Sequence, residues 1–392
     1  MNGDPGHDPI YDSIYKNAVE VIPREVLDRR LASGETLRVK LGIDPTAPDI
    51  HLGFAVVLKE LRAFQDLGHV AVLVIGDYTA RIGDPSGRSK ERPVLSPEQI
   101  EKNTRTYLEQ AYLILDPDRT EVRRNSEWLA PLTMADIIRL TRATTVARIL
   151  ERDDFAKRYA AKGPITLTEL LYPLMQAYDS VATDADVELG GTDQLYNLLM
   201  GRQVMEYYGM EPQCVLTTPL LVGTDGSVKM SKSVGNYIGV TDPPAEMFGR
   251  TMSIPDHLMP DYFSLLLDRP IPEGEPVEQK RELARSLVRT FHAEEAVADA
   301  ERTFDTVVRR GVPEDAPVVE LPNQPEVWIV DLITLAGFAN TNGEARRFIK
   351  GGAVRVGGEV VRDERLSLPT DELDGQVLQV GKRRYARLSM DR

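Results

Sequence analysis

One strand–helix–strand run constrains this chain more than any other feature. Val39 to Ile43 reads as a buried strand, and the loop Asp44-Pro45-Thr46-Ala47-Pro48-Asp49 follows it. A helix then carries apolar residues at Phe54, Val57, Leu58, Leu61, Phe64 and Leu67 and stops at Gly68. A second strand spans Val70 to Ile75. Two strands and a crossover helix within about 40 residues make a βαβ unit, which demands a parallel sheet with helices on its faces. In such sheets ligands sit beyond the carboxyl ends of the strands. Asp44-Pro45-Thr46 and Gly83-Asp84-Pro85-Ser86-Gly87 both lie just past strand ends.

Downstream, the pattern turns helical from about Leu113 to Tyr172, with Thr133-Met134-Ala135-Asp136 resembling a helix start, so a helical insertion at about 113–172 is expected. Strand patterns return at Val187 to Gln194 and at Cys214 to Leu221, and Val277 to Arg310 reads as long, charged and helical. Pro317, Pro322 and Pro325 punctuate a polar run that reads as a linker. A small unit follows, opening with two helices, Val327 to Ala336 and Gly343 to Ile349, around a turn at Gly337. Short strands come next at Ala353 to Val356 and Val377 to Val380. A chain of 392 residues exceeds one ordinary domain. The expected division is a sheet domain at 1–240, a helical region at 241–312, a linker at 313–325 and a small α+β domain at 326–392.

The formal charge of −14 argues against a chain-wide nucleic-acid surface, because a polyanion is held by Lys and Arg. The average hides a gradient. From Glu326 to Arg392 there are 11 Lys/Arg against 10 Asp/Glu, which leaves 36 against 51 in the rest. The C-terminal unit is thus the electrostatically easier surface for a nucleic acid. No run of 18 apolar residues occurs, and the polar, acidic start is unlike a signal peptide, so a cytoplasmic protein with no membrane span is expected. The single cysteine, Cys214, can build neither a disulfide framework nor a cysteine metal site.

Four segments carry chemistry. Pro48-Asp49-Ile50-His51-Leu52-Gly53-Phe54 opens the crossover helix, whose free N–H groups and dipole attract phosphate; His51 adds a donor and Gly53 permits close approach, though alone such a His is more often a helix cap or a surface residue. Lys229-Met230-Ser231-Lys232-Ser233 follows the Gly/Ser-rich stretch Gly223 to Ser227, where two lysines on a mobile loop could close over a triphosphate; a solvated basic loop is the plainer alternative. Between them, Tyr172, Gln176 and Asp179 stand at i, i+4 and i+7, on one helical face, as a pocket wall or an amphipathic surface. Gly190-Gly191-Thr192-Asp193-Gln194 again follows a strand, and Asp193 suits ribose hydroxyls unless the segment is a plain turn.

The His-Leu-Gly helix followed about 180 residues later by Lys-Met-Ser-Lys-Ser resembles the paired signatures of the class I aminoacyl-tRNA synthetases, and the Tyr172 to Asp179 run resembles their tyrosyl branch. The resemblance extends from about Val39 to Leu388. It implies a Rossmann-like parallel-sheet catalytic domain with helical insertion at 1–240, a helical anticodon-binding region at 241–312, and a small α+β S4-like RNA-binding domain at 326–392. It implies activation of L-tyrosine by ATP, brought with Mg2+, to tyrosyl-adenylate and pyrophosphate, then transfer to the 3'-end of tRNA(Tyr) by a homodimer. Thr46, His51, Lys229 and Lys232 would act on the phosphates, and Gly42, Asp44, Gly53, Gly191, Asp193, Met230 and Ser231 would complete the ATP site. Asp179 would accept a hydrogen bond from the substrate phenol, Tyr172, Gln176 and Asp84 would hold its ammonium, and Gln194 would lie near its carboxylate. Arg346, Arg347 and Lys350 would grip RNA phosphates.

Two positions depart from the family pattern. Lys40 stands where other tyrosyl enzymes have a tyrosine that contacts the substrate hydroxyl, and Phe54 replaces the second histidine of the first signature. Phenylalanine cannot donate a hydrogen bond, so one polar contact to the nucleotide is expected to be absent. A tolerated variant and a specialised paralogue, such as an inhibitor-resistant copy or an RNA-binding module, are both consistent with that change.

Overall fold

The structure is a computed structural model that describes residues 11–46, 49–84, 95–310, 317–322, 324–357, 359–381 and 384–390. Ala47 and Pro48 of the first loop, Pro85, Ser86 and Gly87 of the second, and 313–316 and 323 of the expected linker lie outside the described residues. The chain forms two compact units, Met1–Val297 and Ala298–Arg392.

In chain order the first unit begins with α1 (Asp12–Tyr15), β1 (Glu20–Ile22), α2 (Arg24–Ala32), β2 (Arg38–Ile43), α3 (Leu52–Asp66), β3 (Val70–Ile75), α4 (Pro97–Ala111) and β4 (Thr120–Arg124). Five helices follow, α5 (Ser126–Leu129), α6 (Met134–Thr141), α7 (Val146–Ile149), α8 (Asp153–Ala160) and α9 (Leu167–Thr183). Then come β5 (Val187–Gly191), α10 (Leu195–Tyr207), β6 (Cys214–Thr218), α11 (Pro244–Met252), α12 (Met259–Leu267), α13 (Pro276–Phe291) and α14 (Glu295–Arg310), the last of which crosses into the second unit.

The six strands form one sheet in the order β1-β6-β5-β2-β3-β4, parallel throughout except for β1, which runs antiparallel to β6. β2 sits at the centre with β3 on one side and β5 on the other. The chain winds outward from β2 through β3 to β4, then returns to build β5 and β6 on the opposite flank. Their carboxyl ends therefore diverge at a topological switch point, where a crevice must open. Val39, Leu41, Val72, Leu73, Leu189 and Leu216 are buried between the helical layers, as a sheet covered on both faces requires.

β4 corrects the expected start of the insertion, because residues 120–124 belong to the sheet and the added helices begin only at Ser126. Its sequence, Thr-Glu-Val-Arg-Arg, shows no apolar alternation, since every residue of this edge strand is half-buried and its charges are paired. The run Val277 to Arg310 is two helices, parted at His292, whose backbone is extended. Among the described residues no helix is long and apolar enough to cross a membrane.

The second unit continues with β7 (Val318–Glu320), β8 (Glu326–Trp328), α15 (Ile329–Leu335), α16 (Asn342–Lys350), β9 (Val354–Val356), β10 (Glu359–Val361), β11 (Ser367–Pro369), α17 (Thr370–Leu373), β12 (Val377–Val380) and β13 (Arg384–Ser389). Five strands pair in the order β10-β9-β12-β13-β7, and β8 pairs with β11. Val327, Ile329, Ile333, Ile349, Val354, Leu378 and Leu388 share its core. β7 lies inside the run expected to be a linker: prolines do not prevent a short edge strand, and Val318–Glu320 pairs in parallel with β13.

Candidate active site

The crevice at the switch point is a cavity of about 860 Å3. Gly42, Asp44, Thr46, His51, Gly53, Asp84, Tyr172, Gln176, Asp179, Gly191, Asp193, Gln194, Lys229, Met230 and Ser231 all line it, and so does Phe54. Residues more than 180 positions apart thus share one wall.

At one end, α9 supplies Tyr172, Gln176 and Asp179. The helix starts at a capping box between Thr166 and Glu169 and ends at Asp184 in the left-handed conformation, which fixes its length against β2 and β5. The Tyr172 hydroxyl donates to Asp44 Oδ2 at 2.8 Å, while Asp44 Oδ1 accepts from Thr79 Oγ1 at 2.7 Å. Asn125 Nδ2 donates to Thr79 Oγ1 at 3.0 Å and to Asp179 Oδ2 at 3.4 Å. Trp128 Nε1 donates to Asp179 Oδ1 at 2.8 Å. A continuous hydrogen-bonded chain therefore runs from the end of β2 to the C-terminal half of α9. Burial pushes the Asp179 carboxyl up to about 7, against the pull of Lys40 and of the Trp128 and Asn125 donors. Burial, then the Asp44 charge, raises the Tyr172 phenol well above its usual value. Gln194 Nε2 donates to Asp84 Oδ2 at 2.9 Å, and Asn197 Nδ2 holds Gln194 Oε1 at 2.9 Å.

At the other end, His51 caps α3. Its Nδ1 accepts from the Phe54 amide at 3.3 Å, so the neutral ring carries its proton on Nε2. Burial, helped by the Lys232 charge, lowers the His51 imidazolium to about 4 and keeps the ring neutral. The second motif is built against this helix start. Leu52 N donates to Ile238 O at 2.9 Å and Val240 N to Ile50 O at 2.9 Å, around a bridge between His51 and Gly239. Met230 Sδ accepts from the Gly53 amide at 3.3 Å, satisfying one of the open N–H groups of α3. A β-carbon at position 53 would come within 3.3 Å of both His51 and Met230, which explains the glycine.

The stretch from Gly223 to Lys229 is less slack than its composition suggests. Val222 bridges Lys229, and Asp225 Oδ1 accepts from Ser227 N at 2.7 Å and Val228 N at 3.0 Å. Asn236 is buried beneath the hairpin. Its Oδ1 accepts from Ser231 N at 2.8 Å, and its Nδ2 donates to the Lys229 carbonyl at 3.2 Å and to Asp225. Lys229 Nζ reaches across the cavity mouth to Asp193 Oδ2 at 2.6 Å. Lys232 departs from the rest: its side chain turns from the cavity to the Asp49 carbonyl and lies 5.6 Å over the Tyr107 ring. Burial lowers its ammonium to about 8 despite Asp49 and Asp242.

Sequence reasoning missed Thr79, Asn125 and Trp128, which hold the acidic groups in place, and Asn236, which holds the hairpin. None lies in a motif. Gly76 had a signal, since it follows β3 at a strand end: a β-carbon there would meet Asp44 Oδ1 at 2.0 Å and Thr79 Oγ1 at 2.5 Å. In the second unit, Arg346, Arg347 and Lys350 are exposed along α16. Arg346 stacks 5.3 Å over Trp328, and Lys350 pairs with Glu364 at 3.2 Å.

Comparison with known proteins adds an independent line. Residues 32–309 match the family model of tRNA synthetases class I (W and Y), and residues 306–388 match that of the tyrosine–tRNA ligase SYY-like C-terminal domain. The tyrosine–tRNA ligase of Thermotoga maritima is 51% identical over 388 residues, covering 95% of this chain and 96% of the relative. That of Deinococcus radiodurans is 50% identical, covering 96% and 95%. Among solved structures, the Archaeoglobus fulgidus tyrosyl-tRNA synthetase complexed with L-tyrosine superimposes with a TM-score of 0.60 at 24% identity, covering 75% of this chain and 98% of that one. The C-terminally truncated mitochondrial tyrosyl-tRNA synthetase of Aspergillus nidulans gives 0.63 at 20% identity, covering 76% and 93%. At those identities the structures speak for the fold.

Proposed function

The chain belongs to the class I tRNA synthetases of the tryptophan and tyrosine group, and on that premise we propose how its cavity works as the active site of a tyrosine–tRNA ligase. The enzyme activates tyrosine with ATP and passes it to tRNA. One observation carries the assignment of its parts: a single cavity joins the acidic wall of Asp44, Tyr172 and Asp179 to the helix start and lysine hairpin at His51 and Lys229.

In the first step a carboxylate oxygen of tyrosine attacks the α-phosphorus of ATP. A new oxygen–phosphorus bond forms, the bond to the β-phosphate breaks, and pyrophosphate leaves. Both reactants are anions, so alignment and charge stabilisation are the catalytic task, and no side chain need act as a covalent nucleophile. Thr46, His51, Lys229 and Lys232 are assigned to the phosphates, with His51 acting as a neutral Nε2 donor. Gly42, Asp44, Gly53, Gly191, Asp193, Met230 and Ser231 are assigned to the nucleotide, which brings its Mg2+ as part of the substrate. A ribose hydroxyl donating to Asp193 competes with the Lys229 ion pair and frees that ammonium for the phosphates. At the acidic end Asp179 accepts the phenol proton's hydrogen bond, Tyr172, Gln176 and Asp84 face the ammonium, and Gln194 lies near the carboxylate. In the second step the terminal ribose hydroxyl of tRNA(Tyr) attacks the acyl carbon and AMP leaves. Arg346, Arg347 and Lys350 serve as phosphate contacts of an S4-like tail, and 241–312 as the anticodon-binding region.

A homodimer is supported by the helical insertion, where Met134, Ile138, Val146, Tyr159 and Leu167 are all more than half exposed. Cytoplasmic residence follows from the role in protein synthesis. Pyrophosphate exchange into ATP, with tyrosine, phenylalanine and tryptophan offered in turn, tests the assignment. Exchange with tyrosine alone is expected, and exchange with none of the three would leave only an RNA-binding paralogue.

A further inference from the structure

Lys40 is fully buried, does not line the cavity, and lies directly behind it. It points from β2 towards α9 and β5. Its Nζ lies 2.7 Å from Glu188 Oε1, donates to Ser180 Oγ at 2.7 Å, and reaches the Gln176 carbonyl at 3.3 Å. Glu188 Oε2 in turn accepts from Ser180 Oγ at 3.2 Å and from Gln213 Nε2. Space for this cluster is made by Gly201, where a β-carbon would meet Gln213 Nε2 at 2.5 Å and Glu188 Oε2 at 3.0 Å. Framework alone does not require a charge here, because buried ion pairs are often replaceable by apolar groups without loss of stability.

The cluster does have a neighbour that needs a charge. Two of the atoms that bind Lys40 belong to Gln176 and Ser180, which flank Asp179 on the same helix. We infer that Lys40 is a specificity-determining positioning residue, which keeps Asp179 an ionised acceptor for the substrate phenol from behind the pocket. The inference rests on the assignment of Asp179 as that acceptor. An ionised acceptor binds a phenol about twice as strongly as a neutral one, and only tyrosine offers the phenol. The charged and titratable groups bearing on Asp179 are Lys40 on β2, Glu188 on β5 and Tyr172 on its own helix, whose hydroxyl is committed to Asp44; Trp128 and Asn125 face it as neutral donors. After burial, Lys40 has the largest influence on the Asp179 carboxyl, and it outweighs the opposing effect of Glu188.

The test uses Lys40→Met/Glu188→Gln, which removes the charge without stranding a carboxylate, and Lys40→Gln/Glu188→Gln, which keeps hydrogen bonding to Ser180. Folding of each is followed by circular dichroism, and the ratio of kcat/KM for tyrosine over phenylalanine by pyrophosphate exchange. The ratio should fall about tenfold or more with the loss of a charge-assisted hydrogen bond, and its acid midpoint should move to higher pH. A folded double variant with the parent ratio and midpoint would overturn the inference, as would failure of both variants to fold, which would make the cluster a framework. Asp179→Asn separates the two levels: if it leaves the ratio intact, the phenol assignment itself fails, whereas a collapsed ratio beside unaffected double variants removes the role of Lys40 alone.

Discussion

At the scale of single residues, two charges assigned to the reaction titrate in a physiological window. Asp179 is held near 7 by burial, and as the proposed phenol acceptor it has to be ionised, so tyrosine activation should be lost as pH falls through about 7. Lys232, lowered to about 8 by burial, has to be protonated for its proposed role on the phosphates, so activation should be lost as pH rises through about 8. A bell-shaped kcat/KM profile in pyrophosphate exchange should result, with His51 silent because it stays neutral above about 4. Lys232→Arg should remove the alkaline limb, and a limb that persists would assign it to another group. Phe54 is the second residue-scale question. It lines the cavity beside the open helix start, where histidine could donate to a phosphate. Hydrogen bonds to charged groups contribute about 1.5–3 kcal/mol, so Phe54→His should lower the KM for ATP or raise kcat roughly tenfold or more. Unchanged steady-state constants would make the phenylalanine a neutral replacement.

At the scale of elements, the lysine hairpin depends on one side chain. Asn236 joins Asp225, Val228, Lys229 and Ser231, and alanine in its place could make none of those bonds. Asn236→Ala should destabilise the protein by about 1–3 kcal/mol, the cost of leaving buried polar groups unpaired. Urea unfolding measures that loss. Single-turnover adenylate formation should slow while tyrosine affinity holds, because the acidic end of the cavity lies on other elements; a parallel loss of both would show that the ends are not independent. The hairpin also shows where sequence reading stops. Gly and Ser between Gly223 and Ser227 predict a slack loop, and the order comes from Asp225 within the stretch together with Asn236, nine residues past it. The central βαβ unit was legible because both strands are buried on two faces and the helix between them has one apolar stripe. β4 was not, because an edge strand with paired charges carries no period. Tyr172, Gln176 and Asp179 were legible through helical spacing. Thr79, Asn125 and Trp128 were not, because their two segments, at 79 and at 125–128, meet α9 only after the sheet has closed.

At the scale of the whole molecule, the two units divide the chemistry from the easier surface for RNA. Every residue assigned to activation lies in Met1–Val297, and the basic residues of α16 lie in Ala298–Arg392, which has its own core. The tail is net positive by one charge while the rest carries −15, so RNA affinity should depend on a few exposed cations rather than on a general field. Arg346→Ala/Arg347→Ala/Lys350→Ala in the full chain removes three of them from one helix face. Arg346 is partly occupied by Trp328 and Lys350 by Glu364, so the loss should be less than three full phosphate contacts. Each phosphate contact adds about −0.7 to −0.9 to the salt slope of log K, so the slope should flatten by roughly 1–2 and the KM for tRNA should rise. Pyrophosphate exchange, which needs no tRNA, should remain at the parent rate. An unchanged salt slope would move the RNA contacts elsewhere in the chain, and a matching fall in exchange would mean that the second unit supports the cavity rather than the tRNA.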